Sequence, residues 1–144
     1  MMTTFINEKI DDGFNLLIEG ELFNGVNTYA TDIIIIFDTG MAITGYGIGI
    51  PDNICKKLRL KGGKKTEWIV DPVKKESVKC PTVEVGIRLK ENKITKKELD
   101  KVKAIILSNL TNNEVIIGSE FLINYLGCKR IIIDYENYSF RLVI

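Results

Sequence analysis

The stretch that constrains this chain most is Ile33-Ile34-Ile35-Ile36-Phe37, which is continuously apolar and stops at Asp38-Thr39-Gly40. A short β-branched run of this kind, with no alternation, predicts a central strand buried on both faces. A carboxylate follows it without a spacer. Taking such a group out of water costs free energy unless a partner compensates.

The remaining apolar segments are also short and rich in isoleucine, separated by clusters of Gly, Asn and Lys, so the pattern predicts a mainly β protein. Phe14 to Glu19 and Glu21 to Phe23 read as strands, with Asn24-Gly25 as a turn before Val26 to Ala30. Pro51 to Leu60 fits a short amphipathic helix, stopped by Lys61-Gly62-Gly63-Lys64. Trp68 to Val70 and Val83 to Leu89 read as the arms of a long hairpin, whose exposed tip is Asp71-Pro72-Val73-Lys74-Lys75. Thr95-Lys96-Lys97-Glu98 has capping-box spacing and predicts one or two helical turns before a strand at Ala104 to Leu107. Val115 to Ile117 predicts a strand ending at Gly118. Ser119 then opens a helix that Gly127 ends, and Arg130 to Asp134 with Tyr138 to Val143 form a closing hairpin around Glu136-Asn137. With 144 residues, 45% of them apolar and no linker or repeat, the chain reads as a single domain over 1–144.

Composition removes several chemistries. There is no histidine, so Ser-His-Asp and Cys-His catalysis as usually built is excluded, together with the commonest zinc ligand. Cys55, Cys80 and Cys128 are odd in number and form no CxxC pair, which predicts reduced, partly buried thiols and neither a disulfide framework nor a metal site. A formal charge of +1, with the charges scattered, gives no pull toward nucleic acid or an anionic membrane. The first twelve residues lack the apolar core of a signal peptide and no stretch is long enough to span a bilayer, so a soluble, cytoplasmic protein is expected.

On residue chemistry alone, Asp38 has two readings: an ordinary turn residue where a core strand surfaces, or the acid of a carboxylate loop. Thr39 adds a hydroxyl that can bond a neighbour, and Gly40 admits close backbone approach to a ligand. Gly45-Tyr46-Gly47-Ile48-Gly49 lacks the GxGxxG spacing of a dinucleotide site. A strand ending in Asp-x-Gly is shared with the first phosphate motif of actin-like ATPases, but that fold needs two large lobes. Phosphotransfer of the haloacid-dehalogenase type expects a second aspartate where Gly40 stands. Asp134 and Glu136 fit turn decoration, and the Lys-rich stretches fit solvated faces.

Ile35-Ile36-Phe37-Asp38-Thr39-Gly40 resembles the active-site loop of the retropepsin-like aspartic proteases. The specific companion is Val115-Ile116-Ile117-Gly118, which is similar to the hydrophobic-hydrophobic-Gly motif before the family's C-terminal helix. Ile50-Pro51, Leu58-Arg59-Leu60 and the final hairpin stand in the expected order, so the resemblance covers roughly residues 14 to 144 and looks most like a prokaryotic, archaeal-type single-domain branch. It implies a closed β-barrel of the acid-protease fold with one or two short helices, and an aspartic endopeptidase without cofactor or metal. Because one chain carries one Asp-Thr-Gly, it also implies a homodimer acting on peptide or unfolded protein, with Asp38, Thr39 and Gly40 catalytic. Asp71, Pro72, Val73 and Gly118 would contact substrate, the first three from a flap. Met41 to Gly49 is longer than the family's usual connection, which leaves an alternative: a dimeric binding or assembly module of the same fold whose cleft is obstructed by its own loop.

Overall fold

The structure, a computed structural model, describes residues 5–26, 28–38, 41, 46–61, 66–70, 77–90, 96–107, 110 and 113–144. In chain order the strands are β1 (Phe5–Ile10), β2 (Leu16–Ile18), β3 (Gly20–Asn24), β4 (Thr28–Ala30), β5 (Ile34–Phe37) and β6 (Ile48–Ile50). Helix α1 (Asp52–Lys57) precedes β7 (Thr66–Val70), β8 (Ser77–Lys90), β9 (Lys96–Ile106) and β10 (Glu114–Ile117). A π-helical turn, Phe121–Tyr125, leads to β11 (Arg130–Asp134) and β12 (Ser139–Val143). The mainly β reading holds.

The strands pair in the order β11-β12-β1-β2-β5-β10-β6-β9-β8-β3-β4, with β7 attached to β8. Among the described residues no ladder joins the two ends of this path, so closure of the expected barrel is not observed. The sheet nevertheless has to curl. β2 pairs with β5 and β3 pairs with β8, on opposite sides of the central strands, yet a single residue, Glu19, separates them in the chain. A Cβ on Gly20 would come within 2.5 Å of the Arg88 carbonyl and 3.2 Å of Ile35 Cδ1, so only glycine lets the chain pass between β5 and β8 at this corner.

The core lies inside the curl, with Leu22, Ile35, Ile48, Ile50, Ile87, Leu89, Ile117, Phe121 and Phe140 among its fully or almost fully buried members. Two expectations are corrected. The run 33–37 is not buried on both faces: Ile35 and Phe37 point inward, while Ile36 is half-buried and Ile34 is 42% exposed. The capping-box stretch does not form a helix. From Lys96 it is already strand β9, paired with β8, because Leu99, Val102 and Ala104 supply an inward face that long-range pairing rewards more than a local cap does. A register shift between Val85 and Ile87 leaves Asp100 and Lys101 both exposed opposite Gly86, where the Phe23 ring occupies the space a side chain would need.

Helix α1 is shorter than expected. It ends at Leu58, ahead of the glycine pair, with Arg59 in the left-handed region at φ 54° and the Asn24 side-chain amide donating to the Leu58 carbonyl at 2.8 Å. The turn at Gly25, φ 70°, is where Asn24-Gly25 placed it. Its asparagine thus also caps a helix more than thirty positions away. Arg88 binds the carboxylates of Glu21 and Glu98 and lies over the rings of Phe23 and Tyr29, fastening β3, β4, β8 and β9 together.

Glu8, on β1, is 6% exposed. Its Oε2 accepts the Glu19 N–H at 3.0 Å, satisfying an amide at the corner where the strand changes partners, while Oε1 has no hydrogen-bond partner among the described residues. Burial pushes its carboxyl up to about 8, outweighing the bond from Glu19. The native state therefore holds a proton that the unfolded chain, with a carboxyl near 4.5, releases above that pH. Stability contributed by this group is fully present at acidic pH and declines as pH rises from about 4.5 to about 8. Glu8→Gln, whose amide oxygen can still accept from Glu19, is expected to melt several degrees above the wild type at pH 8 to 9, with the gap closing toward pH 5. Thermal unfolding across that range checks this; a gap independent of pH contradicts it.

Candidate active site

Strand β10 runs between β5 and β6. It is parallel to β5, with Ile117 opposite Phe37, and antiparallel to β6, with Ile117 opposite Ile48. The chain leaving β5 must therefore cross the end of β10 to enter β6, and Asp38 is the first residue of that crossing. Its N–H donates to the Ile117 carbonyl at 2.9 Å, and its own carbonyl accepts the Met41 N–H at 3.1 Å. Gly118 N–H donates to the Gly47 carbonyl at 3.1 Å, so the far side of the crossing is tied to the same point. Asp38 is exposed. The burial that its place after an apolar strand suggests is not found in one chain.

Gly118 is buried, and a Cβ there would lie 2.1 Å from the Met41 carbonyl oxygen. That separation is less than any real contact, so the loop can sit against β10 only because this position has no side chain. The Met41 side chain packs with Cys80 and Ile105, flanked by Tyr46, Leu107 and Ile116. Two of the glycines in 45–49 have the same explanation: a Cβ on Gly47 would meet Phe121 at 2.8 Å, and one on Gly49 would meet Leu107 at 2.5 Å. They are packing glycines. Phe121 belongs to the π-helical turn after Gly118, where the Leu126 N–H donates to the Phe121 carbonyl five residues back and Gly127, φ 68°, ends the turn.

Thr39, Gly40, Asp71, Pro72 and Val73 lie outside the described residues. The arms flanking 71–73 do pair as an antiparallel hairpin, Val70 opposite Ser77, but the partner of β7 is Ser77 to Pro81 and not the expected Val83 to Leu89, which pairs with β9 and β3. Asp38 and Gly118 are brought together at the end of β10; Met41 was the partner that sequence reasoning missed, since a lone methionine after a turn carries no distinguishing signal. A groove of about 280 Å³ runs beside this end of β5 and is lined by Phe37, Ser119, Ile123, Lys129, Arg130 and Ile131, among others. The larger cavity, about 530 Å³, lies at the Gly20 corner and touches the start of β5, roughly 10 Å along the strand from Asp38. It is remote from the carboxylate.

Cysteine chemistry gains nothing from this arrangement. Burial raises the Cys55, Cys80 and Cys128 thiols above their ordinary value, which keeps them protonated and weakly nucleophilic near neutrality. Among the described residues, no cluster of three or more Cys, Asp or Glu side chains could hold a metal ion, and no helix is long and apolar enough to cross a membrane. Asp38 is exposed at the end of the parallel pair of β5 and β10.

Among solved structures, the chain is similar to the crystal structure of a retropepsin-like aspartic protease from Rickettsia conorii. The TM-score is 0.59 at 17% sequence identity, with 99% of this chain and 92% of the other covered. This is a retropepsin-like fold. No protein-family model matches the chain, and no curated protein does so significantly. In the retropepsin-like fold of this chain, the crossing over β10 depends on the bare face of Gly118. Gly118→Ala is expected to displace Met41 and its loop and to cost about 1–3 kcal/mol of stability. Denaturant unfolding measures it; an alanine variant as stable as the wild type contradicts the close approach.

Proposed function

We propose that the chain is an aspartic endopeptidase that works as a homodimer, with one Asp38 from each copy. The observation that carries this reading is the exposed Asp38 at the end of β5, where β10 enters between β5 and β6, in a chain with the retropepsin-like fold. A single carboxyl in water is an ordinary acid. Two brought within about 3 Å cannot both ionise, so one keeps its proton while the other is charged.

The charged Asp38 takes a proton from a water held between the pair. The resulting hydroxide attacks the peptide carbonyl while the protonated Asp38 donates to the developing oxyanion, and collapse with protonation of the leaving nitrogen breaks the C–N bond. No covalent intermediate with the protein forms. Thr39 buttresses its symmetry mate across the twofold axis and Gly40 gives the backbone access to substrate. Gly118 borders the substrate where it lets the loop sit against β10, and Asp71, Pro72 and Val73 close over the cleft from the hairpin tip. The burial of Met41 against Cys80 and Ile105 favours an open cleft over the alternative of a silent binding module, because that side chain is committed to the sheet.

Cleavage of denatured protein is expected at acidic to mildly acidic pH, falling as neutrality removes the shared proton. Asp38→Asn should lower the rate at least about 100-fold with an unchanged melting profile. Equal cleavage by the two proteins refutes the mechanism; a well-folded dimer that cleaves nothing favours the binding module.

A further inference from the structure

The cavity of about 530 Å³ at the Gly20 corner has no part in the peptidase reading. Its volume is that of a small-molecule site. Leu17, Ile18, Ile33 and Ile35 give it an apolar lining, and Glu8 stands among them. In the ladder between β1 and β12, Glu8 is opposite Phe140, which is fully buried, so its side chain lies on the core face of the sheet. Its Oε2 is engaged by the Glu19 N–H, whereas Oε1 is cut off from solvent and has no hydrogen-bond partner among the described residues. A buried carboxyl oxygen in that condition is uncommon, and the space that Glu8 lines is where a partner can enter.

The signs around the cavity say what kind of partner fits. Its charged lining consists of Glu8, Glu19 and Glu21 against Lys9 and Arg88. Arg88 is held by Glu21 and by Glu98 of β9, and Lys9 and Glu19 are exposed. Strands β2 and β5 contribute no charge, and on β12 the exposed Arg141 is in register with Asn7 rather than with Glu8. When Glu8 is ionised, the lining therefore has one negative charge that nothing in it balances, and it belongs to the buried acid of the three. Without a counter-charge, burial keeps the proton on Glu8 up to about 8. A monocation with an apolar body complements both the charge and the wall.

We propose that this cavity binds an alkylammonium group, carried by a free aliphatic amine or by a lysine side chain, with the nitrogen donating to Glu8 Oε1 and the methylenes against Leu17, Ile18, Ile33 and Ile35. Binding exchanges one cation for another. Glu8 releases its proton to solvent as the ammonium arrives, and no covalent bond to the ligand forms. Affinity therefore rises with pH until Glu8 ionises unaided, at about 8, and falls again only as the amine loses its own proton, near about 10.4. Nothing in this site uses Asp38.

Calorimetric titration of the whole chain with n-hexylamine tests the site. Binding is expected to tighten at least roughly 10-fold between pH 6 and pH 8, and titrations at pH 7 in buffers of different ionisation enthalpy should show about one proton released per amine bound. 1-Hexanol, with the same body and no charge, should bind more weakly and release no proton. Glu8→Gln, which cannot become charged, should lose at least roughly 10-fold of the affinity at pH 8 together with its pH dependence. The proton count and the hexanol comparison are read on the wild type, so they stand even if the variant folds poorly. The capped tripeptide acetyl-Gly-Lys-Gly-amide separates the two sources: binding of hexylamine alone assigns a free amine, and binding of the tripeptide assigns a lysine of another chain. The site is overturned if neither probe binds, if amine binds without proton release, if hexanol binds as tightly, or if a folded Glu8→Gln variant keeps the wild-type pH dependence.

Discussion

The insertion of β10 between β5 and β6 is the constraint on which the rest of the molecule depends. Those flanking strands are consecutive in the chain, so the segment between them has no route except across the end of the intruder. Everything distinctive about the carboxylate follows from that crossing. Asp38 is held by its backbone to Ile117, Gly47 is held to Gly118, and Met41 is pressed into contact with a glycine that tolerates no substituent. The backbone of Asp38 is fixed by main-chain bonds at both its N–H and its carbonyl, so the strand end is held independently of its side chain.

Much of this was legible because the local signals agree with the long-range ones. Ile33 to Phe37 had to be a strand, Val115 to Ile117 another, and the Asn24-Gly25 and Gly127 stops lie where backbone geometry requires them. The failures have a common cause: local patterns do not report what lies across the sheet. The stretch from Lys96 has the spacing of a helix start, but β8 offers it a full ladder. Uniform apolarity in β5 suggested burial on both sides, whereas one face of Ile34 meets solvent. Strand β1 escaped notice because Glu8 and Lys9 interrupt its apolar residues, and Glu8 is buried only because Glu19, at a corner eleven residues away, needs an acceptor. The glycines of 45–49, readable as a ligand loop, include two that yield space to Phe121 and Leu107.

Likeness to a known fold over nearly the whole chain at 17% identity is understandable in these terms. What the architecture demands is sparse: a glycine where the loop after β5 meets the end of β10, and inward-facing side chains of suitable bulk elsewhere. Cores accept many such combinations provided volume and pattern are kept. Few positions are therefore constrained by the fold itself, and they concentrate where a neighbour leaves no room for a side chain, at Gly20, Gly47, Gly86 and Gly118.

The place of β1 has a consequence for how the molecule comes into being. Phe5 pairs with Val143 and Lys9 with Ser139, so β1 finds its neighbour in a strand 130 or more positions further along the sequence (139 − 9 = 130). Contacts of such sequence separation form slowly. Until they form, the nascent protein carries an unfinished rim on which β1 and β2 have only each other and β5 for support. Docking of β1 on β12 is thus a late, long-range closing step rather than a gradual accretion, and until it occurs the exposed rim is open to misassembly.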